Sequence, residues 1–247
     1  MGNALSAQQV SVAFDGLKAL SNVTLSVPRG EVTGLIGPNG AGKTTFVNVL
    51  TGFQQPDHGR VLLDGEDVGH LKPHLMRRRG IARTFQSGRL FAELSVLDNF
   101  EVTGVGLGLS RREAAEKAEA MLDWIGISSL AERTAGGLPY TDERRVAIGR
   151  ALMLEPKYLL LDEPAAGMSA EEAADLVRLI RRIATDVGCG VLLIEHNIGL
   201  VLSICSHIHV LDSGEVIEDG PPSAIKASER VRHAYMGTQA DAEGEIL

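Results

Sequence analysis

Apolar positions along this chain follow two rhythms, and the change between them divides it. Val32-Thr33-Gly34-Leu35-Ile36, Tyr158-Leu159-Leu160-Leu161 and Val191-Leu192-Leu193-Ile194 are short apolar runs and predict buried strands of a parallel sheet. Alternation over Gln9–Phe14 predicts an edge strand, and Val23–Val27 a second strand after the turn Asp15-Gly16. Short strands follow at Arg60–Leu63 and Glu66–Val68, then a short helix over His70–Arg79 and a strand over Ile81–Phe85 ending on Gln86. From Ser87 to about Gly137 helical spacing takes over. Gly104, Gly106 and Gly108 break one helix there, and Ser110 with Glu113 three residues on predicts a capping box for the next. That next helix puts Ala114, Ala118, Met121, Leu122 and Ile125 on one face.

A further helix is expected over Thr141–Leu154, with Asp142 and Glu143 in its first turn, where the helix dipole favours them. The strand–helix rhythm then resumes, residues 170–184 placing Ala173, Leu176, Val177, Ile180 and Ile183 on one helical face. Ile198–Ile204 reads as a helix, His207–Leu211 as a strand and Glu215–Glu218 as an edge strand. A short helix to Met236 and a mobile acidic tail from Thr238 to Leu247 complete the chain. The expected organisation is an α/β core over residues 1–86 and 155–237, carrying an antiparallel β part, with a helical subdomain inserted at 87–154 and a tail at 238–247.

Composition narrows the partners. Hydrophobic residues make up 44% of the 247 residues and aromatics only 4%, which suits an aliphatic α/β interior. A formal net charge of −8 argues against nucleic acid, and the cluster Arg77-Arg78-Arg79 reads as a solvated helix end. Cys189 and Cys205 fit no metal spacing and read as small buried hydrophobes. No stretch approaches the roughly 20 apolar residues that span a bilayer.

Between the first buried run and the helix after it stands Gly37-Pro38-Asn39-Gly40-Ala41-Gly42-Lys43-Thr44-Thr45, which satisfies G-x-x-x-x-G-K-[ST] at every fixed position. Glycines let backbone amides wrap a phosphate chain, and the helix N-terminus adds its dipole. Lys43 is placed to reach the β- and γ-phosphates, and the Thr44 hydroxyl to complete a Mg²⁺ shell. The core is therefore expected to be that of a P-loop NTPase, binding a nucleotide with Mg²⁺. Asp162, ending the run Leu159-Leu160-Leu161, is the type of carboxylate that holds such a cation, and Glu163 beside it can polarise an attacking water. His196, after the third run, is a candidate γ-phosphate contact and water orienter, and Gln86 a candidate contact to Mg²⁺ or the water. Phe14 is placed either to stack on an adenine ring or to pack on the core at a strand end.

Gly37–Thr45, Gln86, Leu161-Asp162-Glu163-Pro164 and His196, in that order, resemble the ATP-binding cassette family, specifically the ATPase subunits of membrane transporters. Ala82-Arg83-Thr84-Phe85-Gln86, Leu90-Phe91, Asp162–Met168 and Ala234-Tyr235-Met236-Gly237 are similar to the ATPases of branched-chain amino acid importers. The resemblance implies a second cassette as partner, each ATP lying between one phosphate loop and the other subunit's signature segment. It also implies permease subunits that hold the protein at the cytoplasmic face of a membrane. The matching signature positions are Leu138-Pro139-Tyr140-Thr141-Asp142, where the family usually has Leu-Ser-Gly-Gly-Gln, and Ser169 occupies the position of a family aspartate. Two readings follow: an ATP hydrolase driving import, or an ATP-binding subunit whose altered signature makes it regulatory.

Overall fold

The computed structural model describes residues 3–85 and 88–235. Gln86, Met236, Gly237 and the acidic tail lie outside the described residues. The chain opens with β1 (Ala4–Phe14), β2 (Leu17–Pro28) and β3 (Val32–Ile36), then α1 (Lys43–Leu50), β4 (His58–Leu63), β5 (Glu66–Asp67), α2 (Pro73–Arg78) and β6 (Ile81–Arg83). Three helices follow, α3 (Val96–Gly106), α4 (Arg111–Ile125) and α5 (Tyr140–Leu152). The remainder alternates as β7 (Tyr158–Asp162), α6 (Ala170–Asp186), β8 (Gly190–Ile194), α7 (Ile198–Ile204), β9 (His207–Asp212), β10 (Glu215–Gly220) and α8 (Pro222–Ala227).

Strands β1, β2, β4 and β5 form an antiparallel sheet in the order β2-β1-β4-β5. The second sheet runs β10-β9-β3-β8-β7-β6, all parallel except the edge strand β10. This is the α/β P-loop NTPase architecture. Strands β3 and β8 are buried at every residue, which is why their sequences are apolar rather than alternating. One face of the parallel sheet packs on α3–α7, the other on the antiparallel sheet and α1.

Several expectations need correction. The first strand is not an edge: it starts at Ala4 and is paired on both sides, by β2 and β4. Its alternation is interrupted by bulges around Gln9 (φ 51°), which hid the N-terminal half of the strand. Gly104 and Gly106 do not break α3 but lie within it, and only Gly108, with φ 108°, stands beyond its end. A Cβ at Gly104 would stand 3.0 Å from that of Ala114, so glycine there permits close α3–α4 packing. Of the cluster Arg77-Arg78-Arg79, Arg78 and Arg79 are exposed, Arg79 pairing with Glu66, but Arg77 turns inward and donates to the Ala151 carbonyl near the end of α5 at 2.8 Å. The capping box of Ser110 and Glu113 is present, and both cysteines are buried and free.

At Gly149, α5 packs tightly against α3 and α4, since a Cβ there would lie 2.2 Å from Ile125 Cδ1 and 2.7 Å from Phe100 Cζ. Gly149→Ala is expected to destabilise the chain by about 1–3 kcal/mol through overpacking, outweighing alanine's better helix propensity. Urea denaturation checks this, and an unchanged midpoint would mean that the helices part freely.

Candidate functional site

Parallel register brings the C-terminal ends of β3, β7 and β8 to one edge: Leu35 lies beside Ile194, and Ile194 beside Asp162. Loops leaving such ends form a shared crevice. The loop after β3 is fastened from behind. Gly42, the N-cap of α1, has φ 102°, and a Cβ there would stand 2.7 Å from the Ala19 carbonyl oxygen. A Cβ at Gly37 would stand 2.0 Å from the Leu211 carbonyl oxygen. In front, residues 39–45 line a cavity of about 220 Å³, closed by Glu163 and His196.

Lys43 is buried, and its Nζ donates to the carbonyls of Gly37 and Pro38 at 2.7 and 2.8 Å. Burial lowers its pKa, while Glu163 and Asp162 act in the opposite sense. The ammonium therefore buttresses the loop's own backbone beside the cavity. Asp162 is buried enough that desolvation raises its pKa, despite Arg83, whose guanidinium lies 3.3 Å away. Hard oxygen donors such as the Thr44 hydroxyl and an under-compensated carboxylate at Asp162 suit Mg²⁺.

Glu163 takes a left-handed backbone (φ 48°), a conformation costing about 1–2 kcal/mol in a non-glycine residue. Its amide donates to the Ile194 carbonyl at 2.9 Å, and its Oε1 lies 2.7 Å from His196 Nε2. Backbone strain of this kind clusters at functional sites. Among the described residues, the structure thus gathers Lys43, Thr44, Glu163 and His196 at one cavity.

Phe14 is half-exposed at the β1–β2 hairpin, so it does not pack on the core, and it is not among the residues lining the phosphate cavity. Leu138–Asp142 does not line that cavity either. Pro139 caps α5, Tyr140 opens it, and Tyr140 Oη accepts from Arg144. Thr141, lying inside the helix, has no left-handed backbone and escapes the strain a β-branched residue would meet there.

Two residues without a role in the sequence reading hold the site together. Arg83 bridges Asp162 to Asn48 of α1 (2.7 Å) and lies over the rings of Phe53 and Phe85. Glu195 is 3% exposed; its Oε1 accepts from the Ala165 amide at 2.7 Å and its Oε2 from the His196 amide at 3.2 Å. It thereby ties the loop carrying Glu163 to the loop carrying His196. The available signal was a charged residue inside an apolar run's end, adjacent to His196. Ser169, too, has a local purpose: with Glu172 it forms the capping box of α6. Glu172 Oε1 also accepts from the Thr141 hydroxyl at 2.6 Å, so one carboxylate serves the starts of both α5 and α6.

Residues 20–166 match the model of the ABC transporter family. The chain belongs to that family. It is 42% identical over 243 residues to BraF of Pseudomonas aeruginosa, a high-affinity branched-chain amino acid transport ATP-binding protein, covering 92% of this chain and 95% of BraF. It is 38% identical to LivG of Escherichia coli K12, which has the same description, covering 94% and 97%. The lipopolysaccharide export ATP-binding protein LptB of E. coli K12 is 35% identical, again covering 94% and 97%. The ADP conformation of an ATP-binding cassette of an ABC transporter superposes with a TM-score of 0.88 at 33% identity, covering 96% of this chain and all of the other. The chain is an ABC ATPase subunit. Among its described residues, no helix is long and apolar enough to cross a membrane.

The raised pKa of Asp162 carries a stability consequence. A carboxylate with a raised folded pKa favours the fold while protonated, and that contribution is lost as pH rises through the folded pKa. At neutral pH the Asp162 charge therefore works against the fold. Asp162→Asn is expected to raise the melting temperature of the nucleotide-free chain at pH 7, the gain fading as pH falls toward the ordinary aspartate value of 3.8. Calorimetry across that range checks the sign, and a lower melting temperature at pH 7 would show that Arg83 dominates.

Proposed function

We propose that this ATPase drives a membrane importer for branched-chain amino acids or a related small polar solute. The observation that carries the mechanism is the cavity of residues 39–45 closed by the Glu163–His196 pair. The amides of 39–45 and Lys43 hold the phosphates of ATP, releasing the lysine from the loop carbonyls. Thr44 and Asp162 hold Mg²⁺, which supplies charge neutralisation for the phosphoryl group. Glu163 accepts a proton from the attacking water and His196 orients that water against the γ-phosphate. Gln86, outside the described residues, is assigned to the cation or the water. Phe14 is assigned to the adenine ring, its half-exposed face offering the stacking surface.

Leu138, Pro139, Tyr140, Thr141 and Asp142 are assigned to the ATP of a facing cassette. That they do not line this chain's own cavity supports that reading, as does the α5 N-terminus they form. Permease subunits complete the complex at the cytoplasmic membrane face, and the domain division at 87–154 provides the part that reports to them. Nucleic acid is not a partner, given the net charge of −8. Greater identity to BraF and LivG than to LptB favours import.

Glu163→Gln is expected to keep ATP binding and reduce turnover by roughly 10²–10⁴-fold. Steady-state phosphate release beside nucleotide titration measures both, and full turnover would remove Glu163 from its role. Leucine, isoleucine or valine is expected to stimulate hydrolysis in the reconstituted complex. Stimulation by none of them would discard the solute and leave the ATPase.

The regular helix at Thr141 speaks for a working signature. Thr141→Gly with Asp142→Gln is therefore expected to change turnover by no more than about twofold. A tenfold or greater gain would favour the alternative, an ATP-binding subunit with an impaired signature.

A further inference from the structure

The hairpin of β9 and β10 carries a cluster that the nucleotide site does not use. His207 and His209, two apart on β9, share one face of the sheet, and Asp219 on β10 stands directly opposite His209 in the antiparallel register. His207 Nε2 lies 3.1 Å from Asp219 Oδ2, and the two imidazole centroids are 4.8 Å apart. One donor atom from each of the three residues falls within 4.8 Å of the others.

An exposed His–Asp pair alone would be an ordinary surface contact. His209 makes this one different. It is 6% exposed, and its Nδ1 is buried without a hydrogen-bond partner, an unmet cost in a protein interior. The other two side chains, 40% and 57% exposed, are free to swing by the ångström or so needed to close around an ion.

We propose that His207, His209 and Asp219 bind one divalent transition-metal cation of the zinc class, distinct from the cation of the nucleotide site. Two imidazoles and one carboxylate with an open fourth position suit such an ion, whereas Mg²⁺ and Ca²⁺ prefer all-oxygen shells. A cation there clamps the edge strand β10 to β9. The turn of that hairpin touches the phosphate loop, the Gly214 amide donating to the Ala41 carbonyl at 3.0 Å. The clamp therefore stiffens the support on which the loop rests.

The test uses the full chain, free of nucleotide, chelator-treated and without a histidine tag. Titration with Co²⁺ is expected to give visible d–d bands saturating at one equivalent and lost on adding Zn²⁺, and Zn²⁺ to raise the melting temperature. His207→Ala and Asp219→Asn, both at partly exposed positions, are each expected to weaken Co²⁺ binding by roughly tenfold or more. Their melting curves in chelator confirm folding. His196→Ala is expected to bind Co²⁺ as the parent does, excluding the Glu163–His196 pair as the ligand source. Absence of saturable binding, binding that survives His207→Ala, or loss in His196→Ala instead would overturn the proposal.

Discussion

Everything at the nucleotide edge depends on three parallel strands that are buried on both faces. β3, β8 and β7 cannot slide against one another without exposing apolar side chains, and their register sets which residues leave the sheet together. Ile194 beside both Leu35 and Asp162 is enough to place a phosphate loop, a carboxylate pair and a histidine around one crevice. Loops so short have little freedom of their own.

That edge concentrates charge at some expense to the fold. Asp162 and Glu195 both have pKa values raised by desolvation, and Lys43 has one lowered by it. Arg83 reduces the penalty at Asp162, and backbone amides reduce it at Glu195, without removing it. Glu163 adds backbone strain at the same place. Sites that act on charge are built this way because full compensation in the resting protein would leave nothing for the ligand to gain.

The unusual signature segment illustrates how a departure from a family pattern can be locally consistent. Thr141 gives up a glycine but gains a hydrogen bond to Glu172, the residue that also caps α6 with Ser169. Both substitutions therefore fall on one small network joining the starts of two helices. Glu172 is held below the usual glutamate range chiefly by the Thr141 hydroxyl, in keeping with a carboxylate that works as an acceptor.

Sequence alone determined the order of elements, the phosphate loop and the buried parallel strands, because each is written in local signals: apolar run length, glycine spacing and a capping box. It also sufficed to put Lys43 at the start of a helix and Glu163 and His196 just beyond strand ends. It could not show that β1 is a central strand, since bulges at Gln9 disturb the alternation from which pairing is read. Arg77, Arg83 and Glu195 escaped it for a related reason. Whether a charged residue is a solvated end or a buried tie depends on what the fold packs beside it: Ala151 for Arg77, Asp162 for Arg83, Ala165 for Glu195. Those partners lie 74, 79 and 30 residues away along the chain. Only packing brings them within hydrogen-bond range, so only the tertiary structure decided which charges hold the site together.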